Sequence, residues 1–433
     1  MGLSLRINVI WSIAGNIVYA LGQWAILVII ARFGGADKLG IFALGLSICA
    51  PIVMFTNMRM RYIQASDARN EKKFVDYLSA RLTLSAVAMI VIVIIIFLGS
   101  FSQNIAATIF FIGLAKIVEA LSDIYYGFFQ KRERLDYIAK SMLIKSSLTV
   151  LLFGLVFITT NDIVLACVSL VISWTTTLYT VDLISRVRVD MSVSHDYRTA
   201  FKEGIQEQIL AIKSASVRSL SPLVSKAIPL GSVAFLASLT VNVPRYFIEH
   251  NNGEAALGYF SAVGYIMIAG VSVIVALAET SLARLSVYYS SEDRYRFTSL
   301  LGKMIGLSLG MGVIGIIVAA VFGDVILSLI YGEQYGVYQD LFVLLMIAAT
   351  FNYLSVILWF TITSVHEFRI QLPVFFIDTV LVVVMSMILI PEFGLRGAAY
   401  TMIGVMIYQV MAGAVVIWKI INDQDKRIAS RGL

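Results

Sequence analysis

Residues 79–99 read SARLTLSAVAMIVIVIIIFLG. A helix needs about 20 apolar residues to cross roughly 30 Å of hydrocarbon, and this stretch meets that length. Comparable stretches lie at 8–30, 39–58, 105–128, 139–159, 163–185, 220–241, 255–281, 302–322, 339–361, 372–390 and 397–418. The pattern predicts an all-α integral membrane protein with twelve transmembrane helices. Composition agrees, because 59% hydrophobic residues with 14% charged do not describe a water-soluble chain of 433 residues.

The bases between the spans fall on alternate loops. One face carries Arg59, Arg61, Lys72, Lys73, Lys131, Arg132, Arg134, Arg186, Arg188, Arg198, Lys202, Arg294, Arg296, Lys426 and Arg427. The opposite face carries Arg32, Lys38, Arg245 and Arg396. The positive-inside rule then places both termini in the cytoplasm. The net charge of +6 reads as topology, a cytoplasmic surface attracted to anionic headgroups, and nucleic acid is not an expected partner. Cys49 and Cys167 fall inside predicted helices, so neither a disulfide framework nor a metal site is expected. The first span lacks a small-residue cleavage site and reads as a retained helix.

The loops are too short to form domains, and no G-x-x-x-x-G-K-[ST] string offers a phosphate-cradling loop for ATP. No cofactor is expected, and any work must draw on an ion, voltage or substrate gradient. The longest loop separates six spans from six, giving an amino-terminal lobe at 1–189, a cytoplasmic linker at 190–219 and a carboxyl-terminal lobe at 220–433. Within the linker, Phe201, Ile205, Ile209, Leu210 and Ile212 alternate with Lys202, Glu203, Gln206, Glu207, Gln208 and Lys213, a spacing that predicts a helix lying along the headgroups.

Two related strings mark the halves. Gly35-Ala-Asp-Lys-Leu39-Gly40-Ile-Phe42 follows the first span, and Gly253-Glu-Ala-Ala-Leu257-Gly258-Tyr-Phe260 follows the seventh. The shared G-x-x-x-L-G-x-F, met in the same direction of travel, indicates a parallel repeat, although loops entering apolar helices favour glycine in any case. Two such halves suit alternating access with a substrate at their interface.

Polar residues inside the spans carry the chemistry of such a protein. Lys116, Glu119 and Asp123 stand at i, i+3 and i+7, and Gln130 and Arg134 extend the stripe to about 27 Å if the helix persists. A central charge costs roughly 2.5–3.5 kcal/mol on insertion scales, so such residues face a bundle interior or a wet cavity. A self-neutralising Lys116–Glu119 pair is the plainer alternative. Ser12, Asn16, Tyr19 and Gln23 form a milder stripe on the first span, open to interhelical hydrogen bonding or to a cavity wall. Arg59 and Arg61 read either as positive-inside anchors or, with Lys226 between Pro222 and Pro229, as a cationic mouth for a diphosphate. Asn242 and Arg245 near the opposite mouth read equally as exit contacts or an interfacial anchor. Candidate ion-coupling acids are Glu119, Asp123, Asp182, Glu279 and Asp378, with Arg284 five residues beyond Glu279 as its pairing partner or a further base for substrate.

Four strings, GGADKLGIFALGLSICAPIVMFTNMRMR, FFQKRERLDYIAKSM, VNVPRYFIEHNNGEAALGYFSA and EFGLRGAAY, stand in an order and spacing that resembles the oligosaccharide flippases serving O-antigen, capsule and exopolysaccharide assembly. That family belongs to the superfamily of multidrug and toxin extrusion (MATE) transporters. The resemblance implies a MATE-like pair of six-helix lobes around a central cavity, in the bacterial cytoplasmic membrane. It also implies an undecaprenyl-diphosphate-linked oligosaccharide as cargo, moved from the cytoplasmic to the outer leaflet, with a polysaccharide polymerase and a chain-length regulator as neighbouring proteins.

The energetics suit that cargo. About a dozen sugar hydroxyls, at about 1–3 kcal/mol each for unpaired burial, would cost tens of kcal/mol without a polar path. The residues expected to meet the diphosphate are Lys116 and Lys226, then Arg59, Arg61 and Arg284. Asn16, Gln23, Asn242 and Arg245 are expected to contact substrate beside them. An ion-coupled drug exporter is the nearest alternative, but such exporters resemble one another in an acid on the first helix, which this chain lacks. A membrane polysaccharide polymerase or ligase would be expected to carry a larger, basic outward loop.

Overall fold

A computed structural model describes residues 5–67, 71–191, 197–214, 217–365, 367 and 370–431. The described elements are helices: α1 (Leu5–Asn57), α2 (Met60–Ser66), α3 (Phe74–Leu98), α4 (Gln103–Lys131), α5 (Leu135–Thr160) and α6 (Ile163–Thr177). A turn of wider π geometry, Leu178–Asp182, joins α6 to α7 (Leu183–Met191). Then come α8 (Tyr197–Ser214), α9 (Val217–Ser290) and α10 (Arg294–Tyr331), a short 3-10 turn Glu333–Tyr338, α11 (Gln339–Ser364), α12 (Gln371–Phe393) and α13 (Leu395–Arg431).

Ten described helices are long and apolar enough to cross a membrane. At 53 residues α1 would run about 80 Å as a straight rod, and α9 with 74 about 110 Å, against roughly 30 Å of hydrocarbon. Each therefore holds two crossings, which is consistent with the twelve expected. The sequence pattern suggested loops between these spans. Instead each long helix changes course at one residue, Gly35 with φ 78° and ψ −179° and Gly253 with φ 84° and ψ 176°.

These are the first glycines of the two related strings, and the matching extends into the packing. Leu39 and Leu257 are both 0% exposed, and Phe42 and Phe260 are 4% and 3% exposed. An identical backbone break followed by identically buried side chains gives the internal repeat a structural form. Nothing lies within 4 Å of a Cβ built on either glycine, so the left-handed conformation and not crowding requires glycine there. Gly35→Ala and Gly253→Ala are each expected to cost about 1–2 kcal/mol, read as a lower midpoint of thermal unfolding in detergent. An unchanged midpoint would show that the break relaxes into ordinary helix.

The chain divides into two compact units, Met1–Ser238 and Leu239–Leu433. In unit 1, α1 packs along α5 and α4, α3 along α4, and α8 across α3 and α7. A core of Met58, Met60, Leu78, Ile124, Leu223 and Ala227 lies under the α1–α2 junction. In unit 2, α11 packs against α10 and α13, α12 packs against α13, and Val243, Val382 and Val405 form a core.

Asp67, just past α2, ties the base-rich end of unit 1 together. It accepts from the backbone N–H of Glu71 at 3.0 Å and Lys72 at 3.4 Å, from the Tyr77 hydroxyl at 3.3 Å, and from Lys131 at 3.3 Å. Burial alone would raise its pKa, but the Glu71 and Lys72 N–H groups and the Lys131 ammonium outweigh that and hold it below the ordinary aspartate range. A carboxylate depressed in the folded state stabilises fully above its unfolded pKa, about 3.9, and loses that contribution as pH falls through the folded value. Asp67→Asn is therefore expected to lower the unfolding midpoint near neutral pH and to narrow its gap from the parent at about pH 3. A gap independent of pH would remove the carboxylate from the account.

Candidate functional site

The polar stripe foreseen on the fourth span exists, and it is wider than its sequence spacing suggested. Lys116, Glu119, Ser122, Asp123, Tyr126 and Gln130 share one face of α4, a length of about 21 Å at about 1.5 Å per residue. The stripe ends there. α4 stops at Lys131 and Glu133 takes a positive φ of 55°, so Arg134 leaves the helix and forms a two-pronged bond to Asp136 at 2.9 and 3.0 Å.

Each position on the α4 face meets a partner from another helix. Lys116 Nζ donates to Glu119 Oε2 at 2.9 Å, and the Tyr19 hydroxyl of α1 donates to Glu119 Oε1. Arg61 of α2 reaches Asp123 at 3.4 Å, and its Nε donates to Gln130 Oε1 at 3.0 Å. Lys145 of α5 donates to Ser122 Oγ at 2.9 Å, and Tyr126 shares a 2.8 Å hydrogen bond with Ser141. The ring of Trp174 of α6 is approached by two ammonium groups, Lys116 at 5.4 Å and Lys145 at 5.8 Å from its centroid. Its indole N–H is held by Thr149 Oγ1 at 2.9 Å, which fixes the negative ring face toward both cations.

Burial grades across this cluster. Lys116, Glu119, Arg61 and Asp123 keep side-chain exposures of 23–30%. Lys145 and Asp182 are fully enclosed at 1% and 0%. Asp182 closes the π turn and lies beside Lys145, Ser141 and Ser122. π turns inside α-helices recur at functional sites. Acids of α4 paired with bases of α4 and α2 offset much of their insertion cost.

The junction that presents Arg61 is built by a residue the sequence reading passed over. Arg81 of α3 is 1% exposed. It donates to the carbonyls of Thr56 at 3.4 Å and Asn57 at 3.2 Å and to Asn57 Oδ1 at 2.5 Å, satisfying the open end of α1. The chain then turns through Met58 and Arg59, both left-handed with φ 46° and 49°. Two successive non-glycine residues in that region are costly, and the Arg81 bonds hold them there.

The other candidates are dispersed. Arg59 is exposed, as is Asn16, whose amide is spent on the Ser12 carbonyl of its own helix at 2.8 Å. Gln23 is half-buried on α1. Lys226 lies on α9, and its side chain is outside the described part. In unit 2, Arg245 is buried, bonds Asn242 at 3.2 Å and lies 6.0 Å from the Tyr265 ring. Glu279 and Arg284 are both exposed on α9. Asp378 is 0% exposed and ends a relay in which Ser355 donates to Gln409 Oε1 at 2.7 Å and Gln409 donates to Asp378 Oδ2 at 2.7 Å, leaving Asp378 Oδ1 unbonded. Lys145, Arg81, Trp174 and Gln409 were missed. Only Lys145, a charge well inside an apolar span, carried a signal that sequence alone offered.

The polysaccharide biosynthesis protein family matches residues 5–283. The capsular polysaccharide biosynthesis protein CapF of Staphylococcus aureus is 26% identical over 394 residues, which is 91% of this chain and 94% of CapF. The fold is shared with the lipid II flippase MurJ in an inward closed conformation, with TM-score 0.68 at 11% identity over 96% of this chain and 90% of that one. It is shared also with an inward-facing multidrug resistance MATE family transporter of the MOP superfamily, with TM-score 0.66 at 16% identity over 97% and 98% of the two chains. A multi-pass membrane chain with this fold and this match is a member of the polysaccharide biosynthesis protein family.

Proposed function

We propose that this protein is a flippase for undecaprenyl-diphosphate-linked oligosaccharide repeat units, carrying them from the cytoplasmic to the outer leaflet of a bacterial cytoplasmic membrane without covalent chemistry. The observation that carries this reading is the ladder on α4, where Lys116, Glu119 and Asp123 of a membrane-spanning helix, together with Arg61 of α2 beside Asp123, remain partly exposed. Family membership and the fold shared with a lipid II flippase support it.

The diphosphate binds by displacing carboxylates from bases already in place. Arg61 exchanges Asp123 for a phosphate oxygen pair, and Lys116 exchanges Glu119. Arg59 and Lys226 receive the head group at the cytoplasmic side, and Tyr19 and Gln130 meet sugar hydroxyls. Arg284, at the cytoplasmic end of its crossing, meets the diphosphate with those bases, and Asn16 and Gln23 of α1, with Asn242 and Arg245 of α9, contact the cargo later in the passage. Glu119, Asp123, Glu279 and Asp378 supply the groups that couple movement to an ion. The lobes are residues 1–189 and 220–433, joined by 190–219, with both termini cytoplasmic, and the cycle exposes the ladder alternately to the two sides. A polysaccharide polymerase and a chain-length regulator act next on the delivered unit.

The test is the leaflet location of lipid-linked oligosaccharide in spheroplasts of the native host, with and without the gene, using a glycan-cleaving enzyme added outside. Protected material accumulating without the gene is the expected result. Unchanged exposure would reject flipping, and accessible single units accumulating instead would indicate polymerisation.

A further inference from the structure

The function proposed above leaves α8 unused. Its inner face, Ala200, Gly204 and Ala211, is buried against unit 1. Polar staples reinforce that seating: Arg186 of α7 reaches Glu207 at 2.8 Å while its guanidinium rests 4.5 Å from the Phe74 ring, and Gln208 donates to the Tyr125 hydroxyl at 3.1 Å. A helix seated this way has its outward composition presented in a fixed orientation.

That outward side pairs apolar and basic side chains. Phe201, Ile209 and Ile212 are 37%, 46% and 62% exposed, and Arg198, Lys202 and Lys213 are exposed beside them on the same half of the helix. An apolar strip bordered by bases is the pattern of a helix lying in a membrane interface, with rings and branched chains among acyl carbons and ammonium and guanidinium groups at headgroup level. The packing places it at the unit 1 end that also carries Lys72, Lys73 and Arg132.

We propose that α8 is a docking surface for anionic phospholipid headgroups, with Arg198, Lys202 and Lys213 recognising the phosphate charge and Phe201, Ile209 and Ile212 entering the acyl boundary. It rests on the orientation proposed above, which turns this end toward the cytoplasmic leaflet. Because Arg186 and Gln208 link α8 to the ends of α3 and α4, lipid bound here steadies the helix that bears the ladder. Three bases near anionic headgroups favour them over zwitterionic ones by roughly tenfold or more after salt screening.

A spin label tests this in the full-length protein. Cys49 and Cys167 are both 0% exposed, so Ile212→Cys offers the reactive thiol. The label's accessibility to oxygen over a nickel chelate is read in nanodiscs of phosphatidylcholine, alone or mixed with phosphatidylglycerol. Deeper immersion with phosphatidylglycerol is expected, lost in R198Q/K202Q/K213Q and in high salt. Equal depth in both lipids, or a deepening that survives the triple substitution, would overturn the proposal. The label reports depth whether or not the protein flips sugars, so failure of the transport reading would be seen separately.

Discussion

Lys116→Gln is expected to slow translocation of lipid-linked oligosaccharide by about 10- to 100-fold while leaving membrane insertion and thermal midpoint nearly unchanged. The two halves of that expectation come from different quantities. The Lys116–Glu119 pair is i, i+3 with side chains 23% and 30% exposed, and partly solvated pairs of this kind contribute no more than about 1 kcal/mol to stability. A phosphate held against the same ammonium in a site closed to water is a stronger bond, and losing it costs about 2 kcal/mol or more. A double replacement separates substrate contact from simple pairing. If Lys116 serves only to neutralise Glu119, then Lys116→Gln with Glu119→Gln restores transport. If it holds the diphosphate, the double variant stays slower than Glu119→Gln alone, a comparison that subtracts any coupling role of Glu119. Normal transport in Lys116→Gln, in Lys226→Gln and in their combination would remove these lysines from the mechanism.

Arg81→Gln is expected to lower stability by about 3–5 kcal/mol, the largest loss foreseen for a single residue here. The guanidinium is 1% exposed and reaches two carbonyls at the end of α1 together with the Asn57 side chain. Glutamine is shorter and carries a single amide donor group, so α1 would keep an unsatisfied, buried terminus. The left-handed pair Met58 and Arg59 would then relax, and Arg61 would lose its aim at Asp123 and Gln130. Denaturant or thermal unfolding in detergent measures the first effect. The second appears as reduced transport in whatever fraction of the variant folds. Arg81→Lys keeps the charge and can reach one carbonyl, so it should recover part of both, whereas a midpoint for Arg81→Gln within a degree of the parent would show that the cap is dispensable.

Much of the architecture was legible because hydropathy and charge report the membrane directly. Alternate basic loops and apolar runs led to the spans, and G-x-x-x-L-G-x-F led to the repeat. The form of the junctions was not legible: a polar stretch around Gly35 reads as a loop, while one positive φ lets helix continue on both sides. In the site, Lys116, Glu119 and Asp123 were visible because one helix brings them together through its own period. Lys145, Trp174 and Asp182 come from other helices, and no periodicity announces which of them turn toward α4. Arg81 was hidden for a different reason. A base near the start of a span looks like an interfacial anchor, and only the fold shows that it reaches inward to the end of α1. Asp378 was noticed as an intramembrane acid, but Gln409 and Ser355, its relay, are neutral and common in spans.

The most direct measurement of the central claim uses purified protein in liposomes loaded on one face with undecaprenyl-diphosphate-linked oligosaccharide from the native host. A glycan-cleaving enzyme outside then reports how fast the sugar appears there. Rapid appearance with the parent, and a rate lowered at least about tenfold by Lys116→Gln at equal protein incorporation, is the predicted result. Appearance no faster than in empty liposomes, or equally fast with the ladder neutralised, would contradict it.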